Sequence, residues 1–383
     1  MNKINKDWKE VKLGDIVDIT MGQSPKSEFY NKRNEGMPFL QGSATFGFMH
    51  PYFETYSSDI KKIAINGSVL MSVRAPVGDL NIANADVCIG RGLCSINGKS
   101  NIINRYIFYL LSYYKPKLLN MQKGTTFGAI TKDDILNFKV LIAEDIEEQK
   151  RIASALSKID AYLENTIKLI EEKERFKRGI AKKLLTCKEV ENIPEARFKG
   201  FEDEWKETQI LEFVNNNIIK IEKGKSITKS KIEEGDIPVI AGGKTPPYYH
   251  NKYNYNFPCI TISASGSAGY VWFHDYKIWA SNCHVIYTYN KRYNIKFLYH
   301  YLKNIQDLIY YLQVGGVQKH VYAKDLIKLN IPNITIEEQE KIGGYLSLLD
   351  AEIDNLKKQK ELIKEMKRGA MQKLLSGEVR LLE

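Results

Sequence analysis

The chain has 383 residues, 43% of them hydrophobic, and a formal net charge of +10. This length accommodates two domains with packed cores, and no apolar run reaches the roughly 18 residues that a membrane span needs. The opening residues, MNKINKDWKE, lack the pattern of a signal peptide, and the five cysteines form no CxxC pair. We therefore expect a soluble, cytoplasmic globular protein with buried thiols and no membrane partner.

The positive charge is divided between two similar segments. Residues 1–145 (the first lobe) and 191–335 (the second lobe) each contain 18 basic and 14 acidic residues. Two equally basic lobes suit two domains that face nucleic acid, although many unrelated proteins carry a similar charge.

The first lobe has the pattern of an α+β domain with short elements. Residues 62–74 form a β-branched run interrupted by Gly and Asn, which is typical of strands. The aromatic and Leu spacing of residues 104–115 predicts a short helix, and residues 134–142 predict a final strand.

Residues 146–188 predict a long amphipathic helix. They contain no proline, and apolar residues such as Ile152, Leu156, Ile159 and Leu163 recur at three- and four-residue steps between Lys- and Glu-rich faces. A helix of about 40 residues is about 60 Å long, because the rise is about 1.5 Å per residue.

The second half repeats this order. After a linker at residues 189–201, the segment Trp205-Lys206-Glu207 echoes Trp8-Lys9-Glu10. Residues 259–263 predict a strand, 295–312 short helices and 325–331 a final strand. Residues 336–378 then align without a gap to 146–188. An internal repeat of this length suggests that the two long helices bury each other's apolar stripes, and the alternative is an ordinary pair of helices at domain edges.

Motifs that would indicate catalysis are weak. Residues 98–100 and 224–226 end like a phosphate loop but lack its first glycine. Residues 245–248 (TPPY) are similar to the (Asp/Asn/Ser)-Pro-Pro-Tyr motif of amino-methyltransferases, but Thr is a poor substitute at the first position. The histidines and cysteines lack the spacing of metal ligands. We therefore expect neither a catalytic site nor a metal site, and a turn that presents aromatic residues at 245–248.

Recognition chemistry is better represented, because the second lobe holds 14 of the 23 tyrosines, many beside basic or amide residues. Lys and Arg neutralise phosphates, whereas Asn, Gln, Arg and Ser can contact base edges. An intradomain salt bridge is the alternative for Arg74 and Arg91, and core packing is the alternative for the tyrosines. The candidate DNA contacts are Gln23, Ser24, Lys26, Gln41, Ser43, Arg74, Arg91, Thr125, Thr126, Lys225, Lys229, Lys231, Lys244, Tyr248, Ser265, Lys319 and His320.

The order of these segments resembles one family over essentially the whole chain. IEEQ followed by Arg/Lys and Ile opens each long helix, and KRG followed by KLL closes it. Together with WKEVKLGDI, RAPVG, IGRGLCSI and GTTFGAITKDDILNFKV, this order is similar to the specificity (S) subunit of type I restriction–modification systems. The second lobe departs from the first at residues 265–267 (SGS against RAP) and 318–320 (QKH against FGA), so base specificity cannot be transferred.

The resemblance implies an α+β fold with two target-recognition domains, at residues 1–145 and 189–335. Between them it implies an antiparallel coiled coil of two long helices, at residues 146–188 and 336–383, related as a pseudo-twofold internal repeat. It implies duplex DNA, two methyltransferase (M) subunits and restriction (R) subunits as partners. S-adenosylmethionine, ATP and Mg²⁺ would bind those subunits, and no cofactor would bind this chain. Lys177, Arg178, Lys367 and Arg368, at equivalent positions of the two helices, are candidate contacts with the M subunits.

This reading predicts a bipartite DNA site with an unread spacer set by the length of the helices. Two alternatives remain open. The chain is a stand-alone methyltransferase or nuclease if it binds S-adenosylmethionine unaided, and a coiled-coil scaffold if it shows no sequence-specific DNA binding.

Overall fold

The structure, a computed structural model, describes residues 8–120, 128–188, 191–289 and 292–381. The chain folds into two compact units. The first contains Met1–Lys168 and Lys358–Glu383, and the second contains Leu169–Lys357. Each unit therefore combines one lobe with part of each long helix, whereas the sequence repeat predicted the long helices as separate elements.

The first unit alternates short strands with helices, as its β-branched runs and turn residues predict. In chain order its elements are β1 (Trp8–Lys12), α1 (Leu13–Ile16), β2 (Val17–Met21), β3 (Tyr30–Asn31), β4 (Met37–Leu40), β5 (Tyr56–Ser57), β6 (Ile63–Ala64), β7 (Val69–Ser72), β8 (Leu80–Ile82), β9 (Val87–Ile89), β10 (Leu93–Gly98), α2 (Asn104–Asn120), α3 (Lys132–Asn137) and β11 (Lys139–Ala143). The long helix α4 (Ile146–Leu185) follows.

The second unit has a similar order of elements, with fewer strands and one more short helix among its described residues. They are β12 (Lys206–Gln209), α5 (Ile210–Asn215), β13 (Ile219–Lys223), β14 (Ile237–Ile240), β15 (Tyr248–His250), β16 (Cys259–Ser263), β17 (Val271–His274), β18 (Trp279–Ala280), β19 (Cys283–Thr288), α6 (Ile295–Asn304), α7 (Gln306–Tyr311), α8 (Ala323–Leu326) and β20 (Asn330–Asn333). The long helix α9 (Ile336–Leu375) follows.

A layered core organises the first unit. Its main sheet is antiparallel with strand order β2–β10–β7–β8, and a second sheet has the order β3–β5–β4–β9–β6. Ile96 of β10 joins Tyr106 and Leu110 of α2 in one buried cluster. Leu93 of the same strand joins Leu40 in a second cluster on the side of the other sheet. The alternation of side chains along β10 thus fixes both layers.

The second unit repeats this architecture. Its antiparallel sheet has the order β13–β19–β16–β17, and its second sheet has the order β15–β14–β18. Ile286 packs with Phe297 of α6 in one buried cluster. Cys283 and Val285 pack with Ile240 of β14 in the other cluster. The predicted internal repeat is therefore confirmed in the order of the four-stranded sheets, while the described second sheet has five strands in the first unit and three in the second.

A side chain just before each long helix caps its first turn. The carboxylate of Asp145 accepts hydrogen bonds from the backbone N–H groups of Glu147 (3.0 Å) and Glu148 (3.2 Å). The hydroxyl of Thr335 accepts one from Glu338 (3.4 Å). Such side-chain acceptors satisfy N–H groups that a helix leaves without partners in its first turn.

The two long helices run antiparallel within each unit. In the second unit, Glu174 of α4 pairs with Lys357 of α9 at 2.7 Å, and Lys177 of α4 pairs with Asp350 of α9. The residue numbers rise along α4 as they fall along α9, so the helices run in opposite directions. In the first unit, Asp160 pairs with Lys367 at 2.6 Å, and Glu148, three turns earlier on α4, pairs with Arg380, which follows the end of α9. The predicted antiparallel pairing is therefore confirmed in both units, and the polar pairs favour one register of the apolar stripes.

Several predictions about element ends were wrong. Residues 132–137 form helix α3 where residues 134–142 were predicted as strand, because Thr131 and Asp134 make a capping box with reciprocal hydrogen bonds. The strand begins only at Lys139. The strand predicted at residues 325–331 was wrong in the same way, because Ala323–Leu326 form helix α8 and strand β20 begins at Asn330. The long helices end at residues 185 and 375, whereas the repeat was aligned to 188 and 378 and the implied coiled coil extended to 383. Within the described residues, no helix combines the length and apolarity needed to cross a membrane.

Candidate nucleic-acid interface

Glycines allow several loops of the first unit to meet. A Cβ atom on Gly22 would lie 2.2 Å from the carbonyl oxygen of Gly90, and one on Gly92 would lie 2.5 Å from that of Gln41. Side chains do not fit at such distances, so the loops after β2, β4 and β9 approach each other because these positions are glycine. The backbone N–H of Val73 donates to Gly92 O at 2.9 Å and adds the loop after β7. Residues 22–26, 41–43, 73–79 and 90–92 form what we call the first loop cluster.

Four predicted DNA contacts lie side by side in this cluster. The Ser24 hydroxyl donates to Gln41 Oε1 at 2.9 Å and accepts a hydrogen bond from the Arg91 backbone N–H at 3.1 Å. The backbone N–H of Gln23 donates to Ile89 O at 2.9 Å, and the side chains of Gln23, Gln41 and Arg91 are exposed. Residues far apart in sequence thus form one polar surface with exposed guanidinium and amide groups.

The other predicted residues of the first unit border this surface. Ser43 donates to Asp79 Oδ2 at 3.0 Å, and Lys115 holds the other oxygen of Asp79 at 2.8 Å. Arg74 is exposed in the loop after β7, and Lys26 is exposed in the loop after β2.

The salt-bridge alternative for the two arginines finds no support in the structure. Within the described residues, no ion pair involves Arg74 or Arg91. Thr125 and Thr126 lie outside the described residues, so their predicted role stays a prediction.

The second unit contains an equivalent loop cluster. A Cβ atom on Gly224 would lie 2.4 Å from Ser281 O, and one on Gly242 would lie 2.4 Å from Ser265 O. The backbone N–H of Val321 donates to Ala264 O at 3.1 Å and ties in a further loop. We call residues 224–231, 241–247, 264–269, 281–282 and 313–320 the second loop cluster.

Four predicted contacts lie in the middle of the second loop cluster. Ser265 is buried, accepts a hydrogen bond from the side-chain amide of Asn282, and forms an isolated β-bridge with His320. Lys319 is exposed beside them. The Lys244 ammonium lies 5.7 Å from the ring centre of Tyr270, which leaves this exposed cation over an aromatic face.

The remaining predicted residues form the edge of the second loop cluster. The Lys225 carbonyl accepts a hydrogen bond from Trp279 Nε1 at 2.8 Å, while the Lys225 side chain is exposed. Lys229 and Lys231 lie in a short 3₁₀ turn, and the Lys229 ammonium is 5.8 Å from the ring centre of Tyr248. Where a turn was predicted at residues 245–248, the chain bends before Tyr248, which begins strand β15 with its aromatic ring exposed. An exposed surface of Lys and Tyr suits a phosphate backbone.

The two loop clusters share a framework but differ at its surface. Gly90 follows β9 and Ser281 follows β18, and each backbone N–H donates at 2.8 Å to the last residue of the neighbouring parallel strand, Leu40 of β4 or Ile240 of β14. The next strand begins at Leu93 in one unit and at Cys283 in the other, opposite Ser72 and Ser263. Two residues therefore separate Gly90 from the next strand in the first unit, whereas one residue separates Ser281 from the next strand in the second. The additional residue in the first unit is Arg91.

Some exposed or positioning residues of the second loop cluster were not among the predicted contacts, although residues 318–320 had been singled out as a difference between the lobes. Asn282 holds Ser265, and both Val317 and Gln318 are exposed in the loop 313–320. The Gly315-Gly316 pair was the available signal, because consecutive glycines mark a turn whose next residues are presented outward.

The four basic residues predicted for partner contact divide into two kinds. Arg178 and Arg368 are exposed, as expected. Lys177 and Lys367 are only partly exposed and pair with Asp350 and Asp160 inside the helix pair. Their contact with another subunit stays a prediction, with the arginines as the accessible members.

Groups that could act as nucleophiles or bases are mostly buried. Burial raises the pKa of the Cys94, Cys259 and Cys283 thiols to about 12 and lowers the pKa of His274 to about 3. The structure, as far as it describes the chain, brings no three His, Cys, Asp or Glu side chains into an arrangement that could hold a metal ion. These thiols and this imidazole are core groups.

The chain thus belongs to a class of protein in which one α+β domain occurs twice. Each copy presents a loop cluster, and both copies include part of the same two long helices. A family model for the type I restriction modification DNA specificity domain matches residues 5–172 and again 202–365. The chain therefore belongs to this family and carries its domain twice, which confirms the resemblance read from the sequence.

Relatives of known name agree with this assignment. The putative type I restriction enzyme MjaX specificity subunit of Methanocaldococcus jannaschii is 44% identical over 191 residues, which is 49% of this chain and 45% of that protein. The MjaVIII specificity subunit of the same organism is 22% identical across 99% of this chain and 94% of its own length. The crystal structure of a type I restriction–modification S subunit from M. genitalium has the same fold, with a TM-score of 0.73, 19% identity, and coverage of 98% of this chain and 97% of that one.

Proposed function

We propose that this chain is the DNA sequence-specificity subunit of a type I restriction–modification complex and that each loop cluster reads one half of a bipartite DNA site. One observation carries the proposal: the two units present different side chains on the same loop framework. Arg91 has no counterpart in the second unit, and Lys244, Lys319 and His320 belong to the second loop cluster alone. Equal frameworks with unequal surfaces suit two different half-sites.

The chemistry of both loop clusters fits duplex DNA. The exposed lysines neutralise phosphates and release counterions, which gives affinity without sequence preference. The Arg91 guanidinium and the Gln41 amide can make paired hydrogen bonds to guanine or adenine in the major groove. Each cluster alone would bind weakly, and their covalent connection raises the affinity for a site that holds both halves.

Catalysis in this proposal belongs to other subunits. Two M subunits would bind S-adenosylmethionine, and R subunits would use ATP and Mg²⁺, while this chain binds no cofactor and works in the cytoplasm. Arg178 and Arg368 lie at equivalent positions of α4 and α9, and their exposure supports one M subunit contact per unit.

Methylome sequencing tests the proposal directly. The chain is expressed with a methyltransferase subunit in cells that lack other methylation, and we expect one two-part motif to be methylated in its presence and none in its absence. The methyltransferase should co-purify with the chain. Methylation that does not depend on this chain, or a continuous motif, would contradict the proposal.

The two alternatives predict other results. A stand-alone methyltransferase would bind S-adenosylmethionine as the isolated chain, which calorimetry measures. A scaffold without specificity would shift all duplexes equally or none, whereas we expect a shift that is selective for the methylated motif and decreases steeply with salt.

A further inference from the structure

The loop at residues 313–320 is held in a defined shape. The backbones of Val314 and His320 exchange two hydrogen bonds, of 2.9 and 2.8 Å. Gly315 has a φ of +114°, and a Cβ atom there would lie 2.4 Å from Gln318 O. Only glycine fits this position. Since the β-bridge of His320 with Ser265 fastens the loop to the second loop cluster, the residues between its ends are presented in a fixed place.

Val317 lies at the tip of this loop with its side chain wholly in solvent. Its relative exposure is 109%, higher than that of any other large hydrophobic residue in the described part of the chain. The neighbours Gln318 and Lys319 are exposed and polar. An isopropyl group in this position contributes nothing to the core, and it would gain free energy only by contact with another molecule.

We propose that Val317 reads the C5-methyl group of a thymine in the half-site that the second unit recognises, with the adjacent Gln318 amide facing the adenine of an A·T pair. This inference rests on the proposed function. In the major groove the thymine methyl is the apolar group on the base edges, and adenine offers the donor and acceptor that a Gln amide matches. A tip with one apolar and one amide side chain therefore complements an A·T pair and not a G·C pair.

Replacement of single thymines by uracil tests this contact, because uracil differs only by the missing methyl group. The full chain, co-purified with its methyltransferase, is titrated with duplexes of the methylated motif in which each thymine of both half-sites is replaced in turn. Burial of one methyl group corresponds to about a fourfold change in Kd. For the unaltered chain we expect one uracil position to weaken binding by about fourfold.

The variant Val317→Ser should bind the thymine and uracil duplexes at that position equally, and non-specific DNA as before. Val379→Ser, the same change at an exposed valine of the first unit, should keep the fourfold difference. The inference is overturned if Val317→Ser keeps the difference, if it weakens binding to every duplex alike, or if no uracil position matters. A complex that binds no two-part motif at all would instead contradict the proposed function.

Discussion

Arg380 and Glu148 form a bidentate ion pair between the segment after α9 and the start of α4. Arg380 Nε and Nη2 each lie 2.7 Å from a different oxygen of the Glu148 carboxylate, and Glu148 is completely buried. The second unit repeats the pair with Arg197 and Glu338, at 2.7 and 2.9 Å. In both units, residues that follow a long helix thus neutralise a carboxylate in the first turn of the other one.

Removal of Arg380 should destabilise the first unit. Arg380→Ala leaves the buried Glu148 carboxylate without its main cation, and such losses cost about 3–5 kcal/mol. Arg380→Lys should restore little, because an ammonium cannot make the paired hydrogen bonds of a guanidinium. Urea unfolding with hydrogen exchange of first-unit amides measures the effect. Arg368→Ala, an exposed arginine of the same unit, is the matched control, and equal midpoints for the two variants would refute the prediction.

The ion pair of Lys367 with Asp160 should matter more than the equivalent pair of Lys177 with Asp350. The Asp160 side chain is 2% exposed and that of Asp350 is 34% exposed, so the field of Lys367 is screened less. We expect Lys367→Met to cost about 3 kcal/mol in the first unit, and Lys177→Met to cost about 1 kcal/mol in the second.

A double variant separates charge from packing at Asp160. Replacement of both partners, by Lys367→Met with Asp160→Leu, removes the unpaired charge together with its cation, so most of the lost stability should return. The unaltered chain, the two single variants and the double variant form a double-mutant cycle. Chemical denaturation of these four proteins gives the coupling free energy between Lys367 and Asp160. A double variant as unstable as Lys367→Met would show that packing, not charge, dominates here.

Acid should weaken the second unit before the first. Burial lowers the pKa of both His274 and His300 to about 3, with Lys177 and Lys296 as further causes for His300. A folded-state pKa below the unfolded value of about 6.5 means that stability is complete above that pH and is lost as the pH falls toward 3. At pH 5 the loss is about 2 kcal/mol for each histidine.

Tryptophan fluorescence can follow this loss, because Trp8 lies in the first unit and Trp205, Trp272 and Trp279 lie in the second. In a Trp8→Phe background, the urea midpoint should fall between pH 8 and pH 5. The fall should be much smaller when His274 and His300 are both replaced by Gln. A midpoint that falls equally in both proteins would assign the acid sensitivity to other groups.

Arg91 should control which sequence the first unit selects. Its backbone is fixed by the Ser24 hydroxyl, and its guanidinium is exposed. If it contacts a guanine, Arg91→Ala weakens binding to the methylated motif by about 1–3 kcal/mol and relaxes selection at one base pair of one half-site. Lys26→Ala, at the edge of the cluster, should weaken all duplexes alike and reduce the salt dependence. Methylome sequencing and binding titrations distinguish the two, and a uniform effect of Arg91→Ala would assign it to the backbone.

The sequence by itself determined the repeated order of lobes and long helices. The helices were predictable because their apolar spacing is local and no proline interrupts it, and the gap-free repeat indicated that both halves share one fold. The final strand of the first lobe was predicted too early, because the capping box of Thr131 and Asp134 competed with the β-branched run that follows it.

Only the tertiary structure decided which residues lie together. Ser24, Gln41 and Arg91 meet because Gly22 and Gly92 let backbones approach too closely for any side chain, and Arg380 reaches Glu148 across the length of the chain. Periodicity reports a residue's relation to its neighbours in sequence, whereas a recognition surface and a buried ion pair depend on contacts between distant segments. Such contacts exist only after the sheets and helices have packed, so sequence spacing carries no signal for them.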